Sequence, residues 1–144
     1  MPLAQSAVSM IVDRMPKMID PKTHAIIDYA VAATFFTAGA LFWRGHRRAA
    51  IGSFLCGATA AANSLLTDYP GGVWPAMDFD THGKIDAGLA AITSSIPSGM
   101  FFRKDRQANF FFAAAIAETA VTALSDFSTS ATARPTRWEE RRAA

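Results

Sequence analysis

The hydrophobic residues of this chain fall into four long segments that are almost free of charge. The segments are 29–43, 49–67, 87–102 and 107–125, and the only Asp, Glu, Lys or Arg inside them is Glu118. When the polar residues at its ends are included, each segment reaches about 19 residues. As an α-helix it would be about 28 Å long, which matches the thickness of a hydrocarbon core. The pattern therefore predicts four membrane-spanning helices.

A soluble four-helix bundle is the main alternative for such a pattern. Helices of that kind carry charged residues on an outer face at every third or fourth position, and these segments have no such face. Charged residues make up 18% of the 144 residues, below the quarter that is usual for soluble domains. We therefore predict an all-α protein whose main partner is the lipid bilayer.

The chain also resembles itself at an offset of 58 residues. Residues of the first half recur, identical or similar, 58 positions later in the pairs Asp20/Asp78, Thr23/Thr81, His24/His82, Asp28/Asp86, Thr67/Ser125, Asp68/Asp126 and Tyr69/Phe127. Self-similarity at a fixed period indicates a duplicated structural unit. The fold class predicted is thus a four-transmembrane-helix bundle made of two tandem αα-hairpin repeats, 20–69 and 78–127, in parallel orientation.

The repeat fixes the expected organisation of the chain. Helices one and three are predicted to begin near His24 and His82, helix two to cover about 49–66, and helix four about 108–127. Short connections between the paired helices make them antiparallel neighbours. Residues 1–19 form an N-terminal segment, for which an interfacial helix over 4–18 is one interpretation, and 128–144 is predicted to be a flexible basic tail.

The distribution of basic residues predicts the orientation in the membrane. The two short hairpin connections, 44–48 and 103–107, carry six Lys and Arg residues, whereas the central loop 68–81 carries none and has three Asp residues. Basic loops favour the cytoplasmic side, so the termini are expected on the periplasmic side. The net charge of +2 gives no indication of nucleic-acid binding.

These motifs resemble the SPW-repeat group of small bacterial membrane proteins. The resemblance covers about 20–127 and rests on Thr23-His24 with Asp28, on 64–69, on Thr81-His82 with Asp86, and on Glu118. The Ser-Pro-Trp tripeptide that names the group is absent, and 95–98 reads Ser-Ile-Pro-Ser. The resemblance implies a four-helix protein of the bacterial inner membrane and supplies no activity.

The predicted topology brings the polar ends of both repeats to one membrane surface. The residues expected in this polar layer are His24, Asp28, Asp68, His82, Asp86 and Asp126, with Glu118 deeper in the bundle. A carboxylate at a helix C-terminus opposes the helix dipole, so Asp68 and Asp126 each need a donor. We therefore predict histidine–carboxylate contacts that cross between the hairpins.

Four interpretations of this layer remain open from the sequence. The favoured one is a structural lock between the repeats, without a cofactor. The others are a divalent metal site, a haem held axially by His24 and His82, and a proton relay with Glu118 as its inner station. No nucleophile–base pair or phosphate-binding loop is present, so a non-enzymatic membrane component is predicted, either self-associating or part of a larger membrane complex.

The topology can be tested by labelling single cysteines placed at positions 46, 75 and 105 in a Cys56→Ala background. Positions 46 and 105 lie in the two hairpin connections and position 75 in the central loop, so they are expected to react with impermeant reagents from opposite sides of the membrane. Labelling of all three positions from the same side would contradict four spans.

Overall fold

The computed structural model of the chain describes residues 14–128 and residue 142. Four helices make up this part of the chain, and no β-strand occurs in it. They are α1 (Pro21–Phe42), α2 (Arg47–Leu65), α3 (Phe79–Gly99) and α4 (Ala108–Leu124). The all-α class is therefore confirmed. Most of the interfacial helix predicted over 4–18, and most of the tail, lie outside the described residues.

Two helices begin three residues earlier than predicted, because an aspartate caps each of them. The Asp20 carboxylate accepts a hydrogen bond from the Thr23 backbone N–H at 2.8 Å, and Asp78 does the same for Thr81 at 2.7 Å. Such caps satisfy backbone donors that have no partner inside the helix. The predicted end of helix four at 127 is also wrong, since α4 ends at Leu124.

The helices pack in chain order, α1 along α2 and α3 along α4, with α2 against α3. Gly57 brings α1 and α2 close together, because a Cβ there would lie 3.1 Å from Phe35 and 3.3 Å from the Ala32 carbonyl oxygen. Phe35, Phe102 and Phe111 are almost completely buried. At about 1.5–3 kcal/mol for each large apolar side chain, this aromatic core holds the bundle together near the hairpin connections.

At the opposite end of the bundle, the segment before α1 bonds to the end of α4, and the segment before α3 bonds to the end of α2. Leu124 O accepts from the backbone N–H groups of residues 18 and 19, and Leu66 O accepts from those of residues 76 and 77. Two return bonds run from Asp126 N to Ile19 O and from Asp68 N to Met77 O. Each bond has a counterpart 58 residues away, and together they fix the starts of α1 and α3.

Within the described part of the chain, α1 is the one helix long and apolar enough to cross a membrane, while α4 is apolar but has 17 residues. Only 28% of the best 18-residue window in α1 is buried, which differs from the core helix of a soluble bundle. The structure thus contains one helix that could cross a membrane, and all four spans stay a prediction.

The cap of α3 generates a stability prediction. The hydrogen bond from the Thr81 backbone N–H holds the pKa of Asp78 below its ordinary value of 3.8. Asp78→Ala should therefore lower the free energy of unfolding by about 1 kcal/mol, measured by denaturant unfolding at pH 7.

A lowered pKa means that this contribution is fully present above the ordinary Asp value and is lost as the pH falls through the lower, folded-state value. The difference between wild type and Asp78→Ala should thus shrink in strong acid. Asp80→Ala is the control, because Asp80 makes only an exposed ion pair with Lys84, worth less than about 1 kcal/mol. Equal losses in both variants would contradict the cap.

Candidate metal centre

Four ligating side chains meet where α1 and α3 begin. His24 and Asp28 stand one turn apart on α1, and His82 and Asp86 stand one turn apart on α3, so each pair shares a helix face. One ligand atom from each residue lies within 4.8 Å of the other three. Both imidazoles are fully buried, and the two carboxylates are 12% and 14% exposed.

The two imidazole Nε2 atoms lie close to each other and to both carboxylates, and Asp28 presents a different oxygen to each ring. The two Nε2 atoms are 3.1 Å apart. His24 Nε2 lies 3.3 Å from Asp28 and 3.1 Å from Asp86, and His82 Nε2 lies 3.0 Å and 2.9 Å from the same two carboxylates. A tetrahedral ion with bonds of about 2.0–2.1 Å separates its ligands by about 3.3 Å, so the four residues fit such an ion with small adjustments.

A buried hydroxyl orients each imidazole. His82 Nδ1 lies 2.7 Å from Thr67 Oγ1, and His24 Nδ1 lies 2.6 Å from Ser125 Oγ. Each hydroxyl already donates its proton to the carbonyl one turn earlier, at 2.6 Å for Thr67 and 2.7 Å for Ser125. The hydroxyls can therefore only accept from the rings, which places a proton on Nδ1 of both histidines.

The carboxylates are also held from outside the cluster. Asp28 accepts from the Ser64 hydroxyl at 3.3 Å and from the Tyr69 hydroxyl at 2.9 Å. Asp86 accepts from the side-chain amide of Asn63 at 2.8 Å. Hydrogen bonds of this kind fix the orientation of metal ligands and sustain their affinity.

With protons on both Nδ1 atoms, neutral imidazoles direct two Nε2 lone pairs at each other and at two carboxylates. That arrangement is repulsive unless positive charge enters it. Two kinds of positive charge fit the space: protons on the Nε2 atoms, or one metal cation between the four ligand atoms. The geometry thus requires an added proton, on an Nε2 atom or on a carboxylate, or a metal cation at this point.

Aromatic rings cover the cluster on the side facing the chain termini. The edge of the His24 ring meets Phe79 and Phe127, at centroid distances of 5.1 and 5.6 Å, and Phe79 and Phe127 are 4.6 Å apart. Gly83 makes room for this cover, since a Cβ there would lie 2.6 Å from Phe127. The rings exclude water from the imidazoles and strengthen the electrostatics inside.

Of the seven predicted site residues, the structure brings His24, Asp28, His82 and Asp86 together, and Glu118 lines a cavity beside the two aspartates. The group of four includes neither Asp68 nor Asp126. The Asp126 carboxylate instead accepts hydrogen bonds from the backbone and hydroxyl of Ser128. The Nδ1 atoms of the two histidines face the Thr67 and Ser125 hydroxyls rather than these aspartates.

The residues that reach the imidazoles, Thr67 and Ser125, immediately precede those two aspartates. They share the 58-residue offset, which is the signal that could have identified them. Sequence reasoning missed the other supporting residues as well, namely Asn63, Ser64 and Tyr69.

The bis-histidine haem interpretation does not fit this geometry. The Nε2 atoms are 3.1 Å apart, and the carboxylates of Asp28 and Asp86 occupy the space around them. A planar macrocycle cannot enter between two rings placed in this way. The polar cluster suits a single small cation.

Comparison of the chain with protein-family models, with curated proteins and with solved structures finds no match. The site must therefore be understood from its own geometry.

The hydrogen bonds predict opposite tautomers for different histidines. His24 and His82 should carry a proton on Nδ1. His46, at the other end of the bundle, should lack one there, because its Nδ1 accepts from the Ala49 N–H at 3.2 Å while Nε2 faces Asp105 at 2.8 Å. Nitrogen-15 NMR of labelled imidazoles distinguishes these states. An unprotonated Nδ1 in His24 or His82 would contradict the orientation described above.

Proposed function

We propose that this chain is an integral membrane protein that holds one divalent transition-metal ion between its two helical hairpins. The observation that carries the proposal is that each Nε2 atom lies within 2.9–3.3 Å of the other Nε2 atom and of both carboxylates. A divalent ion at their centre would bind all four ligand atoms and offset the repulsion between them. Two neutral imidazoles, two carboxylates and one such ion carry no net charge, which suits a buried site.

The ligand types indicate which ions are suitable. Imidazole and carboxylate together favour zinc, manganese or iron. Zinc matches best, because it accepts a tetrahedral set at the spacing found here. All four positions are filled by protein, as in structural zinc sites, whereas catalytic zinc keeps one position open. The proposed role is therefore structural: the ion joins α1 to α3, and the protein is a non-enzymatic membrane component.

The exposed surface of the helices supports a membrane location. Large apolar side chains, among them Leu55, Ile92 and Ile116, are exposed along the middle of the bundle, where charged residues are almost absent. Exposed hydroxyls there, such as Thr34 and Thr59, donate to carbonyls of their own helix, as an apolar solvent requires. We propose four spans in a bacterial inner membrane with periplasmic termini.

Contacts at equivalent positions support a duplicated hairpin. The bond from His24 to Ser125 corresponds to that from His82 to Thr67, and the backbone bonds before α1 correspond to those before α3. In each case the offset is 58 residues. We propose that the repeats arose by duplication, that the metal lies on the pseudo-twofold axis, and that the chain is related to the SPW-repeat group, whose histidine and aspartate pattern it carries.

A metal-free lock is the second candidate. The 3.1 Å separation of the Nε2 atoms also suits a hydrogen bond in which one imidazolium donates to the other ring. Such a cluster would still hold the repeats together and would leave a net negative charge. Metal binding separates the two candidates, because only the first requires an ion.

The metal proposal predicts one bound zinc ion for each chain after loading and desalting of the purified protein. His82→Ala should reduce the bound zinc to background, because it removes one of the four ligands. His46→Ala is the matched control, since His46 pairs with a single carboxylate elsewhere, and it should bind zinc as wild type does. Elemental analysis measures the stoichiometry.

Affinity gives a finer test. Thr67→Val removes the acceptor of the His82 Nδ1 proton and should weaken zinc binding about 10–100-fold. Thr59→Val, which removes an exposed hydroxyl bonded only within its helix, should leave the affinity unchanged. Zinc at about 100 times its dissociation constant should stabilise the wild type by about 2.7 kcal/mol. If the wild type binds no zinc and zinc does not change its unfolding, the metal proposal fails and the metal-free lock remains.

A further inference from the structure

Glu118 is a buried carboxyl group inside the bundle, deeper than the His–Asp cluster. The residue is 8% exposed, and neither carboxyl oxygen makes a hydrogen bond of good geometry among the described residues, although the Thr93 hydroxyl lies nearby. An ionised carboxylate in such a place is very unfavourable, and even a neutral carboxyl loses free energy when its hydrogen bonds are incomplete. The group is therefore stabilised by a proton and by a further hydrogen-bond partner.

A small cavity lies beside Glu118. It has a volume of about 20 Å³ and is lined by the carboxylates of Asp28, Asp86 and Glu118, together with Thr122 and apolar side chains. A buried water needs about 10–15 Å³ and two to four polar partners. The cavity thus has room for one water, and three of the residues that line it carry carboxyl groups that can serve as its polar partners.

Among the described residues, no positively charged side chain lines this cavity. α1 contributes Ile27, Asp28 and Val31, α2 contributes Ala60, α3 contributes Asp86 and Leu89, and α4 adds Val121 and Thr122 to Glu118 itself. The nearby imidazoles already face the two aspartates. A carboxylate at Glu118 would therefore be a third negative charge without a counter-ion.

We propose that Glu118 is a proton-binding site, which carries a proton at neutral pH and donates a hydrogen bond through one cavity water to the carboxylates of Asp28 and Asp86. The proton removes the uncompensated charge, and the water satisfies the carboxyl oxygens. This much is independent of the metal. The further consequence, that Glu118 positions the metal-binding carboxylates, rests on the proposed function.

Infrared difference spectroscopy tests the protonation. At pH 7, subtracting the spectrum of Glu118→Gln from that of the wild type should leave the C=O band of one protonated carboxyl, and this band should shift in deuterated water. Asp80→Asn is the control, because Asp80 is exposed and paired with Lys84, and it should leave the band in place. A wild-type spectrum without the band, or a band that survives in Glu118→Gln, would overturn the proposal.

Zinc affinity tests the link through the water. The Glu118→Gln amide can donate the same hydrogen bond, so its affinity should stay within about threefold of wild type, whereas Glu118→Leu should lose about tenfold or more. Equal affinities in the two variants would overturn the positioning role. If the wild type shows the infrared band but binds no zinc, the metal proposal fails and the proton-binding site stands.

Discussion

The Thr67 and Ser125 hydroxyls give their protons to backbone carbonyls, and much of the chemistry of this molecule depends on that constraint. Because each hydroxyl can then only accept, it places a proton on Nδ1 of one histidine and turns the Nε2 lone pair inward. Two such lone pairs, opposed to two carboxylates, define a cation site. Without the hydroxyls the rings could rotate or change tautomer, and the Nε2 lone pairs would no longer be held pointing at the carboxylates.

The same constraint links the fold to the site. The hydroxyls sit just beyond the ends of α2 and α4, where backbone bonds tie them to the starts of α3 and α1. The ends of four helices are therefore joined twice, through the backbone at the surface and through the imidazoles beneath it. Burying four ionisable groups is costly unless their charges balance, so a balancing cation contributes directly to the stability of the bundle.

The sequence predicted the helices and the four central residues for sound physical reasons. Uncharged segments of about 19 residues are typical of apolar helices, and a histidine and an aspartate at i and i+4 on a helix share a face. The predicted starts near His24 and His82 are three residues late, because the capping residues Asp20 and Asp78 lie outside the apolar pattern. Thr67 and Ser125 were missed as partners of the imidazoles, because the helix pattern does not show which residue beyond α2 and α4 turns towards the rings.

Other features lay beyond what a one-dimensional pattern can show. The unpaired oxygens of Glu118 and the cavity beside it depend on how the facing side chains fill space. The asymmetry of the supporting contacts is of the same kind, since Tyr69 bonds Asp28 while its counterpart, Phe127, has no hydroxyl. The repeats thus share their ligands and differ in what surrounds them.

X-ray absorption spectroscopy of the zinc-loaded wild type tests the central claim most directly, because it reports the coordination sphere itself. The account predicts four nitrogen or oxygen ligands at about 2.0–2.1 Å, with the outer-shell scattering of two imidazoles. Six-fold coordination by oxygen without imidazole scattering, as from loosely bound surface zinc, would contradict it.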